Sequence, residues 1–336
     1  MNLRYNLVAI ASFVIIIGGL SLASSIVVPF LLAVFIAIIA FPALELMSKV
    51  HINRFFAFII LIGICGSGLW VLGNVIATAL LGFSADLPLY KAKIDIFMDN
   101  LVIYLKTNAN IDISNNILSF INIDKLLATT SNLLVQTGGI VTQSFLVFLL
   151  LAFILFEAQI FKDKVEYFAS KNPIALDIAS TFISNLKHYL AIKTISSIAT
   201  GVIVWGFLIF FDVPHASLWA ILACILNYIP TIGSIIAAVP AILVSLAVND
   251  LSATLWLTLI YLVVNIAIGN FIEPRFLGKG LGISTLVVIL SLLFWGFVFG
   301  IGGMFLAVPL TMSIKIALDA NPNTKFISIL LSNKVK

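Results

Sequence analysis

Between Ala216 and Ala247 the chain reads ASLWAILACILNYIPTIGSIIAAVPAILVSLA, almost wholly apolar, yet Asn227-Tyr228-Ile229-Pro230-Thr231-Ile232-Gly233 interrupts it near the middle. Proline removes a backbone donor and clashes with the preceding turn, and glycine relaxes the backbone further. An unbroken helix of this length would span about 48 Å, against roughly 30 Å of hydrocarbon. The segment therefore reads as two short helices meeting at a polar break within a membrane. Irregular backbone at that depth persists only where protein buries it or where it lines a cavity.

Composition supports a membrane setting. Of the 336 residues, 62% are hydrophobic and 10% charged, against about a quarter charged in a soluble domain. The expected fold is an all-α polytopic membrane protein of about eight membrane segments. The net charge of +4 comes from basic residues that flank apolar runs, which excludes a nucleic-acid surface and fits a charge bias across a bilayer. Cys65 and Cys224 both lie in apolar runs and read as small buried hydrophobes, without a disulfide or a metal. The Leu7–Leu22 run lacks a small-residue cleavage site and leads into further apolar sequence, so it is expected to be a retained first span.

Residues 1–83 hold three expected spans, about Leu7–Ser24, Ile26–Leu46 and Phe55–Phe83. From 84 to 139, lysines, aspartates and asparagines alternate with apolar residues at helical spacing (Leu89, Ile96, Phe97, Leu101, Tyr104, Leu105). This stretch is too polar to span, and predicts an extracytoplasmic amphipathic helical module with turns near Asn108–Asn110 and Asn115-Asn116. Residues 140–320 form a core with spans at about Ile140–Phe161, Leu190–Phe211 and Ala253–Ile268, an amphipathic stretch Val165–Lys187, and two over-long segments. The second of these, Ser284 to Leu318, is interrupted at Trp295-Gly296 and Gly300–Gly303, with Pro309 further on. Residues 321–336 form a cytoplasmic tail. Paired interrupted segments are the best sequence pointer to a transporter's binding site.

Charge then orients the chain. If both interrupted segments are re-entrant hairpins, four of the 18 basic residues (Lys91, Lys93, Lys106, Lys125) lie outside and the other 14 inside. If each crosses once, Arg275 and Lys279 move outside, so the charge rule favours hairpins. Both arrangements put the two termini in the cytoplasm and the 84–139 module outside. With hairpins, the two breaks enter from opposite faces and are expected to meet near mid-membrane.

The sequence carries no GxxxxGK[ST], HExxH, CxxC or GxSxG motif, and no nucleophile with its base inside a span. An enzyme, a cofactor and ATP-driven transport by this chain alone are therefore not expected. His51, His188 and His215 sit at membrane boundaries and read as surface groups. Asn227, Tyr228, Pro230 and Gly233 at the first break are candidates for substrate binding or gating. Asn265 and Asn270 of the seventh segment, Glu273 and Arg275 around Pro274, and Trp295 and Gly296 at the second break join them. Glu273 and Arg275 could pair with each other or with groups at the hairpin mouths. Glu157 and Glu273 are the candidates for ion or proton coupling, because an acid near hydrocarbon is costly and commonly functional.

Three stretches in this order carry a resemblance. Asn227-Tyr-Ile-Pro230-Thr-Ile-Gly233 followed by Pro240 looks like an NxIPxxGxxxxxxP signature. Glu273-Pro-Arg275-x-x-Gly278-x-x-Leu-Gly282 looks like EPRxxGxxLG, and Phe294-Trp295-Gly296 with Gly302 and Leu306-Ala-Val-Pro309-Leu looks like FWGxxxGxxGxxLAVPL. The chain thus resembles the autoinducer-2 exporter family of bacterial permeases, closely over Leu146–Leu318 and by span pattern before that. The resemblance implies eight membrane segments and a multi-pass secondary transporter of a bacterial inner membrane, and leaves room for a homo-oligomer. Its cargo is expected to be a small polar solute of the autoinducer-2 type. Sodium or lithium/proton antiport is the alternative, and a non-transporting scaffold built on the outer module is a third reading.

Overall fold

The computed structural model describes residues 3–108, 132, 144–171, 173–230, 232–277 and 282–333. The helices are α1 (Leu3–Leu22), α2 (Ser24–Lys49), α3 (Arg54–Asn108), α4 (Ser144–Lys171), α5 (Pro173–Phe210), α6 (Ala216–Leu226), α7 (Ile232–Val248) and α8 (Leu251–Ile266). A π-turn (Ala267–Ile272), α9 (Glu273–Leu277), α10 (Thr285–Asp319) and α11 (Lys325–Leu331) complete them. Among the described residues the β structure is a single bridge between Ile283 and Ser332. Five stretches are long and apolar enough to cross a membrane: Ser24–Leu44, Phe55–Tyr104, Ala179–Phe210, Leu251–Phe276 and Thr285–Asp319. The chain is an all-α polytopic membrane protein.

Two expected boundaries move. Helix α3 runs through residue 84 for 55 residues, about 80 Å, so what changes there is composition and not backbone. The turns expected at Asn110 and Asn115-Asn116 lie outside the described residues. The amphipathic stretch 165–187 is not a separate helix: it forms the end of α4 and the start of α5, which opens on Pro173, where a missing amide costs nothing.

The chain divides into two compact units, neither continuous in sequence: residues 1–69, 142–193 and 276–336 in one, 70–141 and 194–275 in the other. In the first, Ala33 and Ala37 of α2 pack with Ala57 and Leu61 of α3 and with Val147, Leu151 and Leu155 of α4. Small side chains let such helices approach closely where lipid supplies no hydrophobic drive. Phe35 joins Leu186, Tyr189 and Leu190 of α5 and Leu306, Val308 and Met312 of α10 in a second cluster.

Helix α10 is bent double. Gly300 has φ 64° and ψ −148°, a conformation essentially confined to glycine. Thr311 Oγ1 donates to Ser291 Oγ at 2.8 Å and accepts from Trp295 Nε1 at 3.1 Å. In a straight helix residues 291 and 311 would be about 30 Å apart. Of the two interruptions expected here, Gly300 is where the backbone leaves helical geometry, whereas Trp295-Gly296 stays helical. Gly296 serves close packing instead: a Cβ there would come within 2.8 Å of the Met304 methyl. At the hairpin's mouth, the Ser284 amide donates to Leu331 O and the Ser332 hydroxyl to Gly282 O, both at 3.0 Å.

In the second unit, α6 and α7 form another hairpin. Its ends are closed by Asn249 Nδ2 donating to Phe211 O at 2.8 Å, so the chain returns to the place it left. In a bilayer such a segment would enter and leave on one side. At the tip, a Cβ on Gly233 would overlap the Leu226 carbonyl oxygen, so the tight return demands glycine. At the base, His215 is more than a surface group: its Nε2 lies 3.0 Å from Asp86 Oδ2 of α3, and Tyr90 OH donates to the same oxygen at 3.4 Å. Phe83 meets the His215 and Trp219 rings edge-on.

Gly233→Ala should therefore lower the melting temperature of the detergent-purified protein by an amount corresponding to about 1–3 kcal/mol. Gly63→Ala, whose new methyl meets nothing within 4 Å, should be neutral or stabilising. Equal melting temperatures for the two variants would contradict the close return.

Candidate functional site

Helix α5 is apolar overall, yet its buried residues Lys193, Ser196, Ser197, Thr200, Gly201, Val204 and Leu208 recur every three or four positions. The first four put an ammonium and three hydroxyls on one face. Serine and threonine are tolerated there because they can return their own proton to the preceding turn, as Thr200 Oγ1 does to Ser196 O at 2.9 Å.

The tip of the α6–α7 hairpin meets this face. Asn227 and Tyr228 continue the last turn of α6, with amides bonded to Ala223 O and Ile225 O. Their side chains are thereby free to reach α5. Asn227 Nδ2 donates to Ser197 Oγ at 3.1 Å, and the Tyr228 hydroxyl lies 2.7 Å from Thr194 Oγ1. Pro230 follows, where its fixed φ suits a turn and α6 has already ended.

Glu273 comes from the far end of the π-turn that follows α8. Along α8 the buried residues are Thr254, Leu257, Tyr261, Val264 and Ile268, spaced alternately by three and four. A regular helix would next bury residue 271 or 272, but both are exposed. The π-turn widens the next step to five, and Glu273 becomes the buried residue, 9% exposed. Single π-turns of this kind recur at functional sites. The Ser196 hydroxyl donates to Glu273 Oε1 at 2.7 Å, a short bond typical of a carboxylate acceptor. Three hydrogen-bonded pairs thus lie along one turn of α5, Thr194 with Tyr228, Ser197 with Asn227 and Ser196 with Glu273, all in the second unit. They offer hydroxyls, one amide and one carboxylate, with little beyond hydrogen bonding to hold a ligand. Among the described residues no three His, Cys, Asp or Glu side chains gather as metal ligands would.

Comparison with known proteins decides the family. Residues 10–323 match the family model described as AI-2E family transporter. The chain belongs to the AI-2E transporter family. It is 36% identical to the AI-2 transport protein TqsA of Escherichia coli K12, over 97% of this chain and 95% of the relative. It is also 37% identical to a putative transport protein of Haemophilus influenzae, over 99% and 97%. With the putative transport protein YhhT of E. coli K12 it shares 33% identity over 97% and 93%. The chain is accordingly a membrane transporter and not an enzyme, with a small solute as cargo.

Within this AI-2E transporter, the residues singled out from sequence separate. Asn227, Tyr228, Pro230 and Gly233 lie at the hairpin tip, and Glu273 bonds Ser196 in the same turn of α5 that receives Asn227 and Tyr228. Asn265 is half-buried on α8, and Asn270 and Arg275 are exposed. Glu273 is buried, whereas Arg275, two residues on and on another side of α9, is exposed. Trp295 and Gly296 belong to the α10 hairpin in the other unit, as does Glu157, which is exposed near the end of the apolar part of α4, Ser144–Ala158. The hydroxyls of α5 were not anticipated as site residues, although their spacing on one face of an apolar helix was a readable signal.

The Asn227–Ser197 contact is open to a double-mutant cycle. Asn227→Ala and Ser197→Ala should show a coupling of about 0.5–1.5 kcal/mol in thermal unfolding of the purified protein. Strict additivity would remove this link between α5 and the hairpin.

Proposed function

We propose that this transporter exports a small, neutral, polar solute of the autoinducer-2 type, and that Asn227, Tyr228, Glu273 and the α5 hydroxyls hydrogen-bond it. The observation that carries the reading is that the α6–α7 tip and Glu273 each bond side-chain hydroxyls within one turn of α5, Thr194 to Ser197. Neutral donors and acceptors at the ends of broken helices suit a hydroxylated solute, and the printed name of the TqsA relative supports that solute class.

Proteoliposomes loaded with autoinducer-2 should release it when they contain the wild-type protein, and Asn227→Ala should slow release about tenfold or more, the worth of one or two lost hydrogen bonds to a buried group. Absence of release under every imposed ion gradient would overturn the export reading. A second reading, exchange of sodium or lithium for protons, draws on Glu273, since a buried carboxylate is what an ion-coupled exchanger requires. Under that reading Glu273→Gln abolishes salt resistance in an antiporter-deficient strain. Under solute export, resistance does not depend on this residue.

The topology that goes with export is an inner-membrane protein with both termini and Arg275 in the cytoplasm and residues 84–139 outside. It rests on the distribution of basic residues and on hairpin ends that lie together. With the native cysteines removed, Arg275→Cys should react with an impermeant thiol reagent only from the cytoplasmic side. Labelling from outside would reverse the assignment.

A further inference from the structure

One buried polar atom is not accounted for by the polar cluster at the hairpin tip. Among the described residues, the Tyr261 hydroxyl is the buried side-chain oxygen that has no hydrogen-bond partner, and the residue is 3% exposed. Buried phenols usually find a partner, and phenylalanine would fill the same volume without leaving a hydroxyl unpaired.

The direction of this side chain follows from the helix register. Thr254 of α8 is bonded to Ser245 of α7 at 3.1 Å, which fixes the face of α8 turned to α7. Tyr261 lies seven residues on, within about 20° of Thr254 around the axis and about 10 Å along it. Helices α7 and α8 are joined only by Asn249 and Asp250, so they run antiparallel. Seven residues along α8 from Thr254 therefore correspond to seven residues back along α7 from Ser245, towards the hairpin tip. That stretch of α7 presents Ala237, Ala238 and Ala241, all buried. It also contains Pro240, which removes the amide that would have bonded the Ile236 carbonyl. A phenol donor thus faces a seam of small side chains that includes a carbonyl deprived of its helical partner, one to two turns from Gly233.

We infer that Tyr261 is a solute-binding residue: its hydroxyl hydrogen-bonds a hydroxyl or carbonyl oxygen of the transported molecule in the α7–α8 seam. The inference rests on the reading of this protein as a carrier of neutral, hydroxylated solutes, and extends that site from the hairpin tip down one arm. The class it selects is a small uncharged molecule with at least one oxygen to present, since neither Tyr261 nor the alanines opposite supply a charge. An analogue lacking that oxygen would leave the phenol unpaired, which is how a buried polar group discriminates.

Tyr261→Phe separates this role from a structural one. The wild type and the variant are each titrated by thermal shift with autoinducer-2, ribose and glycerol, and compared in proteoliposome flux of autoinducer-2. Without solute, the variant should melt at the wild-type temperature or higher, because an unpaired hydroxyl has been removed. With solute, it should lose most of the ligand-induced shift and show a KM raised about tenfold. A variant that is stabilised and transports like the wild type overturns the assignment, as does a wild type stabilised by none of the three solutes. Stabilisation of the wild type, and not of the variant, by ribose or glycerol without autoinducer-2 flux would sink the export reading and leave Tyr261 as a solute ligand.

Discussion

A helix that stops inside hydrocarbon must satisfy the backbone and side-chain groups it exposes there, because lipid accepts no hydrogen bonds. The α6–α7 hairpin depends on that requirement. Its amides at Asn227, Tyr228 and Ile229 stay bonded to the last turn of α6, and its polar side chains are received by hydroxyls on α5. The packing and the polar character of the tip follow from this exchange. The same hydroxyls that make the break tolerable leave a cluster of hydrogen-bonding groups where a solute can compete for them. Stability and the proposed solute binding would therefore draw on the same side chains.

The two hairpins turn by different means. At Asn227–Pro230 a proline follows the end of one helix, and the return is tightened by a glycine pressed on a carbonyl. At Gly300 a single residue in a glycine-only conformation reverses the chain, with Gly303 set against Trp295 O and the Phe299 side chain. The first turn leaves polar side chains at its tip. The second spends its polar groups, Trp295, Thr311 and Ser291, on tying its own two arms together. This difference is why the first hairpin carries the candidate site.

Much of this was legible in the sequence, for physical reasons that can be named. Pro230 and Gly233 announce a break because a missing amide and a permissive backbone fall together near the middle of an over-long apolar run, and the structure turns there. Trp295-Gly296 announced a break as well, but a glycine in a helix serves close approach as readily as it serves bending, and only the backbone of Gly300 distinguishes the two. Glu273 stood out beside Pro274 and Arg275, yet its burial depends on a π-turn that shifts the register by one residue. No residue type in Ala267–Ile272 signals such a turn. Lys193, Ser196, Ser197 and Thr200 were visible on one face of α5, but their purpose is set by Asn227 and Glu273, which arrive from more than 25 residues downstream in sequence.

The bond between Asn249 and Phe211 makes the α6–α7 hairpin a closed excursion from the path of the chain. The end of α5 and the start of α8 already sit side by side, with the whole hairpin hung between them as a cassette. Side chains within it can be exchanged while its two ends stay joined. A lineage that needed to carry a different molecule could rewrite the tip and arms of this one insert while the membrane-spanning frame stayed as it was.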